Sequence, residues 1–378
     1  MRTLLEFCER ERDWLIDTAT ALVQHESPTP DKGAVDRCGR VLRRRLEAIG
    51  ATVEMAASAD TGDHLLATIG NGPTRVMLLG HFDTVWPLGQ LDRMPLREED
   101  GRLYGPGIFD MKAGIAIGML AARALLTAGR LGDRTLAMLF TGDEERGSAS
   151  SRELIEKEGR RADAVFVLEP SLPGGAVKTA RKGCGEFELR IRGVPAHAGV
   201  EPGRGASAID EMAAQITALG AIRGIRDGVS LNVGVVEGGG RPNVVAEHAR
   251  AVIDTRVARQ EDVHAVEDAI RGLRPTLDRT AIEVVGGFSR PPLVRTPAVV
   301  RLYERAREVA GELGRPLAEG GTGGGSDGNF TAALGVPTLD GLGAVGDGAH
   351  ALNEHVETGE LPWRAALLAG LIERFDAR

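Results

Sequence analysis

An α/β fold, with a mixed and largely parallel sheet flanked by helices and a smaller ferredoxin-like α+β domain inserted into it, is what this sequence predicts. Three observations carry the prediction. Short apolar runs alternate with helical periods as far as about residue 177. From about residue 178 the pattern switches to period-two alternation, in the order β-α-β-β-α-β. From about residue 292 helix and strand resume. The α/β part is therefore expected at 1–177 and 292–378, and the insert at 178–291. A chain of 378 residues exceeds what one hydrophobic core usually serves, which agrees with two domains.

The elements follow in order. Residues 3–24 place Leu4, Leu5, Trp14, Leu15 and Leu22 at helical spacing and read as one helix. A second helix covers 33–49 and stops at Gly50; Arg37, Arg40, Arg43, Arg44 and Arg45 read as its solvated face. RVMLLG (75–80), TLAMLF (135–140) and ADAVFVL (162–168) are strands. Between them AGIAIGMLAARALLTAG (113–129) and SRELIEKEG (151–159) are helices. In the insert, GEFELRIRG (185–193) alternates as a half-exposed strand does. ASAIDEMAAQITALGAI (206–222) is a helix with Ile209, Met212, Ala213, Ile216 and Leu219 on its apolar face. SLNVGVVEG and ARAVIDTRV are strands, EDVHAVEDAIRGL (261–273) is an amphipathic helix, and TAIEVVG is the closing strand. The run EGGTGGGSDG (319–328) is too glycine-rich for a packed element and reads as a loop. VPTLDGLG (336–343) and a helix near 360–375 complete the chain.

Composition excludes several functions. The net charge of −8 argues against a general nucleic-acid binder. No apolar run reaches membrane-spanning length. The N-terminal MRTLLEFCERERDW lacks the apolar core of a secretion signal. Cys8, Cys38 and Cys184 are odd in number and widely spaced, so neither a disulfide framework nor a thiolate metal site is expected. A cytoplasmic protein fits these features.

Chemistry concentrates where strands end. His81 follows RVMLLG, Glu169 follows ADAVFVL, and Asp143, Glu144 and Glu145 follow TLAMLF. In open α/β sheets ligands gather at the carboxyl ends of strands. Asp110 lies in the loop GPGIFDMKAG, and His350 and His355 lie in GAHALNEHVE. Singly, each residue has an ordinary explanation, such as a loop histidine or a helix-capping acid. Together they do not, because several buried carboxylates at one edge each cost roughly several kcal/mol in desolvation. Divalent cations would offset that cost, and imidazole with carboxylate suits zinc or a similar metal. Five ligands exceed one catalytic site, which usually has three. If Asp110 bridges, His81, Asp110 and Glu169 hold one metal, and His350, Asp110 and Glu145 the other, about 3.5–4 Å apart. Glu144 is then left over as the base that takes a proton from water and passes it to a leaving amine. Asp83 can hold the second nitrogen of His81 and fix its tautomer.

The motifs GHFDTV, GPGIFDMKAG, TGDEERGS, VLEP, PAHAG, RPNVV, GGGSDG and GAHALNE now stand in one order. That order resembles the zinc-dependent acetylornithine deacetylase, succinyl-diaminopimelate desuccinylase and glutamate carboxypeptidase family over nearly the whole chain. The phrasing is most similar to the glutamate carboxypeptidase branch. The resemblance implies a di-zinc exopeptidase fold, two Zn2+ per subunit with Co2+ or Mn2+ as alternatives, and the metal and base roles given above. It implies a homodimer built through the inserted domain, with His197 of PAHAG reaching the site of the other subunit to steady the oxyanion. It implies a small-molecule or short-peptide substrate with a free carboxylate, contacted by Asn243, Arg256 and Arg290; the backbone at Gly324 could bind a carboxylate as nests do. Arginine suits that task because its planar fork is bidentate. Ala113 and Ala246 depart from the family pattern, outside the expected ligand set.

The activity expected is hydrolysis of an amide bond by a glutamate carboxypeptidase-like exopeptidase, with an N-acyl amino acid deacylase as the alternative. Two further readings compete. GGGSDG contains G-x-S-x-G at Ser326, followed by Asp340 or Asp347 and His350 in the order of an α/β-hydrolase triad. A nucleophile elbow needs an apolar strand before it, and RPLAEGGTG is not one. A non-catalytic binding protein on the same scaffold would have no use for Glu144.

Overall fold

The run that begins at Arg75 forms the strand Thr74–His81, an inner member of a six-stranded sheet. The computed structural model describes residues 1–376. The sheet order is Thr52–Ala56, His64–Ile69, Arg134–Thr141, Thr74–His81, Ala164–Val167, Thr338–Leu339. The last four strands pair in parallel, and the first two join antiparallel at one edge. Parallel strands are covered on both faces, which is why these runs are continuously apolar. Val76, Leu78, Leu136, Met138 and Phe140 enter one core with the helices Ala113–Thr127 and Leu361–Arg374. Met77, Leu79, Ala137, Leu139, Val165 and Val167 form a second layer with Ile155 and Phe330. Each such side chain contributes about 1.5–3 kcal/mol when fully buried. Leu78→Ala would cost about 2–5 kcal/mol, because the close-packed surroundings cannot collapse into the gap.

Two glycines set how closely the helix Ala113–Thr127 lies on the sheet. A Cβ at Gly114 would stand 2.1 Å from the Leu168 carbonyl oxygen, and one at Gly118 would stand 2.8 Å from the Leu168 side chain. Four residues apart, both face the sheet. The segment carrying Asp110 is thereby delivered beside the residue that precedes Glu169.

The chain divides into two compact units. One holds Met1–Ala180, Arg295–Gly321 and Ser326 onward; the other holds Arg181–Val294 and Thr322–Gly325. In the second, the elements run β-α-β-β-α-β in an antiparallel sheet ordered Ser230–Gly238, His248–Val257, Gly183–Arg192, Ala281–Arg290. Phe187, Leu189, Ile191, Ala251 and Ile253 pack on Met212, Leu219, Val263, Val266 and Ile270 from the two helices.

Several expectations change. The single helix over 3–24 is two, Arg2–Arg10 and Arg12–Val23, parted at Glu11. The Glu11 carboxylate is 2.6 Å from the Arg123 guanidinium of the neighbouring helix. The helix Ala208–Ile222 is rotated from its expected face: Ile209 is 46% exposed and Ala213 is exposed, while Glu211 and Gln215 are buried. Hydrogen bonding decided that rotation, since Glu211 accepts the N–H groups of Thr276 and Leu277. The glycine-rich run is not wholly a loop: Glu319–Thr322 is a strand, and Ser326, Asp327 and Gly328 are buried. The edge strand Thr52–Ala56 and its neighbour His64–Ile69 went unread, as did a small sheet ordered Gly346–Asp347, His355–Glu357, Arg102–Tyr104, Arg97–Glu99. Among the described residues no helix is long and apolar enough to cross a membrane.

Candidate metal centre

Three parallel strands bring chemistry to one edge. Leu79 is in register with Val167, so Glu169, two residues further on, is level with His81. His81 is itself in register with Thr141, and Asp143, Glu144 and Glu145 follow that strand. Two groups of side chains result. Donor atoms of His81, Asp110 and Glu169 lie within 4.8 Å of one another, and so do those of Asp110, Glu145 and His350. His81 Nε2 is 3.2 Å from Asp110 Oδ1 and 3.7 Å from Glu169 Oε1. His350 Nε2 is 3.5 Å from Asp110 Oδ2 and 3.3 Å from Glu145 Oε2. Asp110 thus offers one oxygen to each group. Glu145 Oε1 is buried with no hydrogen-bond partner.

The electrostatics couple the imidazoles to the acids. Burial alone would depress His81, but Asp110 and Asp83 hold it well above the ordinary imidazole value. Asp110, and after it Glu145, raise His350 to about 10. Burial alone would raise Asp110; His350 and His81 override it and hold the carboxyl well below the usual range. Burial pushes Glu145 up. The two imidazoles and Glu145 are shifted towards their protonated forms, and Asp110, between the imidazoles, towards its ionised form. Imidazole and carboxylate donors in two sets of three, sharing one acid, fit a pair of divalent cations.

The surrounding residues hold this arrangement. His81 Nδ1 lies 3.1 Å from the Asp83 backbone oxygen and 3.4 Å from its Oδ1, so the nearer acceptor is the carbonyl. The Asp83 carboxylate accepts the N–H groups of Glu144 and Glu145, at 3.2 Å each, and the Thr29 hydroxyl at 2.7 Å. It therefore anchors the backbone of the two glutamates as well as standing beside the imidazole. Asp143 is turned to its own loop, where Oδ2 accepts from Ser150 N–H, the Ser150 hydroxyl and Ser151 N–H. Glu354 was not singled out from the sequence. Its buried carboxylate accepts three backbone N–H groups of the Asp110 loop. The only signal was an acid four residues after His350. His355 stacks on Tyr104, bonds the Asn353 carbonyl and has its Nε2 3.9 Å from Glu357, and it belongs to neither group of donors.

The remaining expected residues lie in the other unit, in two gatherings. His197 bridges to Val244, and Ala198 N–H donates to the Asn243 carbonyl, so His197 and Asn243 share one exposed loop pair. The His197 Nδ1 accepts from Gly199 N–H. Arg256 and Arg290 flank Cys184 on the strands either side of it. A Cβ at Gly325 would meet both Cys184 and Arg290, and Arg181 donates to the carbonyls of Gly324 and Gly325. The Arg256 guanidinium is 2.8 Å from Asp254, an ion pair inside the fold. A groove of about 650 Å³ on the open face of this sheet carries charges that pair with each other, Arg190 and Arg250 with Glu188 and Glu237. Ser326 is fully buried; its hydroxyl donates to Asp340 at 2.6 Å and accepts from Gly328 N–H, which leaves it no histidine base.

Comparison with known proteins bears on the chain as a whole. Residues 77–374 match the model of a family described as peptidase family M20/M25/M40. Carboxypeptidase G2 of Pseudomonas sp. (strain RS-16) is 30% identical over 380 residues, spanning 98% of this chain and 91% of that enzyme. A succinyl-diaminopimelate desuccinylase of Xanthomonas oryzae pv. oryzae is 31% identical over 379 residues, spanning 95% of this chain and 98% of that enzyme. Among solved structures, aminopeptidase PepT of Bacillus cereus is 25% identical with a TM-score of 0.78, over 96% of this chain and 98% of that one. The metallo-carboxypeptidase Sso-CP2 of Sulfolobus solfataricus shares the fold, with a TM-score of 0.76 at 17% identity over 95% of this chain and 98% of that one.

Proposed function

The chain belongs to peptidase family M20/M25/M40 and is a hydrolytic enzyme of metallopeptidase type; from that premise we propose that it is a two-metal exopeptidase of glutamate carboxypeptidase kind. One observation carries the reading: Asp110 presents Oδ1 to His81 and Oδ2 to His350. Two Zn2+ ions would be held by His81, Asp110 and Glu169 and by Asp110, Glu145 and His350; Co2+ or Mn2+ would serve the same donors. When bound, such ions polarise a scissile carbonyl and make water a nucleophile at neutral pH.

The protein's own groups do the rest. Glu144, only 9% exposed, takes the proton from the attacking water and returns it to the leaving amine. Asp83 keeps the Glu144 and Glu145 backbone in place. His197, brought by a second copy of the chain, donates to the tetrahedral oxyanion. Its exposure supports that role, and among the described residues its Nε2 has no partner. The dimer would form along the edge strand Ser230–Gly238, where Val235 and Val236 are exposed, together with exposed Ile209. Arg256, Arg290, Asn243 and the backbone at Gly324 hold the free carboxylate of the substrate.

Beside the metal pocket, Val85, Leu88 and Leu352 are exposed on two segments joined by the Trp86–Glu354 hydrogen bond. Such a rim supports an apolar acyl group over a succinyl one, which would bury its second carboxylate unpaired. The test is a panel of N-acyl amino acids and dipeptides given to the metal-loaded enzyme and scored by released amine. Aromatic N-acyl glutamates should lead, and Leu352→Ser should lower their kcat/KM by about tenfold or less. A lead for small acyl groups irrespective of the amino acid would favour the N-acyl amino acid deacylase.

A further inference from the structure

The segments that carry Asp110 and His350 depart from regular backbone dihedrals. Asp110 and Met111 leave helical dihedrals, at φ −114°, ψ 90° and φ −138°, ψ 34°. His350 sits in the left-handed region at φ 61°, a conformation that persists only where its surroundings fix it. One side chain meets both loops. Glu354, 1% exposed, accepts Phe109 N–H (2.9 Å) and Asp110 N–H (3.1 Å) on Oε1. On Oε2 it accepts Gly107 N–H (2.9 Å) and the Trp86 indole (2.8 Å). A carboxylate has about four lone-pair sites, so this one is filled and has none to spare for a cation.

The same residue belongs to the His350 loop. Ala351 N–H donates to the Gly348 carbonyl and Glu354 N–H to the Ala351 carbonyl, closing residues 348–354 on themselves. Gly105 N–H donates to the Glu354 carbonyl at 3.3 Å, and His355 is in register with Tyr104. We propose that Glu354 is a positioning residue of the metal centre: it fastens the Asp110 loop to the His350 loop and thereby sets the affinity of both donor groups for divalent cations. The proposal rests on the two-metal reading above.

The test uses the full chain, stripped of metal and titrated with Zn2+ in competition with a chromophoric chelator. The visible spectrum of the Co2+-loaded protein and the thermal midpoint of the metal-free protein are read alongside. Glu354→Gln should weaken Zn2+ binding about 10–100-fold, the usual effect of losing an outer partner of a ligand, and shift the Co2+ bands. Trp86→Phe keeps the three backbone bonds and should weaken binding measurably, by about two- to tenfold, on the same scale. Glu211→Gln removes an equally well-bonded carboxylate from the other unit; it should lower the thermal midpoint and leave Zn2+ affinity and the Co2+ bands as in wild type. A folded Glu354→Gln that binds Zn2+ as wild type does overturns the proposal. Should Glu354→Gln not fold, an unchanged affinity in Trp86→Phe overturns it instead. If the wild-type chain binds no divalent cation, the two-metal reading falls and takes this proposal with it; wild type with two ions beside an unaffected variant sinks the positioning role alone.

Discussion

Glu211 in the smaller unit and Glu145 in the larger are both withdrawn from solvent, and the protein treats them in opposite ways. Glu211 accepts the N–H groups of Thr276 and Leu277, the hydroxyls of Thr276 and Thr280, and the amide of Gln215. Against the effect of burial, those bonds hold its carboxyl below the usual range. Glu145 has one buried oxygen with no partner, its other oxygen faces His350, and burial raises its carboxyl. Burial of an acid therefore says little by itself. A carboxylate supplied with donors completes a fold, and one left short of them asks for a cation. Asp83 and Glu354 are likewise supplied with donors, although they stand beside the metal pocket and burial still raises the Glu354 carboxyl.

Removing the cations tests the contrast most severely. Dialysis against a chelator should reduce amide hydrolysis to background, and Zn2+, Co2+ or Mn2+ should restore it; activity that survives complete chelation breaks the contrast. Glu144→Gln should lower kcat by about 10²–10⁴-fold while metal content, read by elemental analysis, stays at the wild-type level. Loss of metal in that variant would move Glu144 among the ligands. Glu211→Gln should cost about 1–3 kcal/mol of stability and leave kcat alone. Its folded carboxyl lies below the ordinary value of 4.5. The stabilisation is therefore complete above that pH and is lost as pH falls through the lower folded value. The variant should show a flatter acid limb in thermal midpoint against pH, and an unaltered limb would refute the assignment. The smallest effect belongs to Ser150→Ala, which removes one of the donors to Asp143. It should cost about 1 kcal/mol or less and change neither metal content nor rate.

Much of this molecule was legible from its residues. The runs ending at His81, Phe140 and Leu168 could be read because strands buried on both faces are continuously apolar, and the polar residues that interrupt them stand out. His81, Glu145 and Glu169 stood out for a related reason, as acids and an imidazole after strand ends, whereas Asp110 and His350 lie in loops that only the fold brings to them. The strand Thr52–Ala56 was not legible, because it lies at the sheet edge and none of its residues is fully buried; His64–Ile69, paired on both sides, mixes His64 and Thr68 into a short run that gives no continuous apolar signal. The face of the helix Ala208–Ile222 was misjudged because periodicity counts apolar residues, whereas Glu211 earned its burial from backbone donors at 276 and 277.

The sequence by itself determined which residue types end the strands, and with them the chemistry this protein can perform. Only the tertiary structure decided which carboxylates are answered by protein donors and which are not. Side-chain pattern is a local property of the chain. The donors that complete Glu354 come from residues 86 to 110, and no local rule records a hydrogen bond that crosses more than two hundred residues.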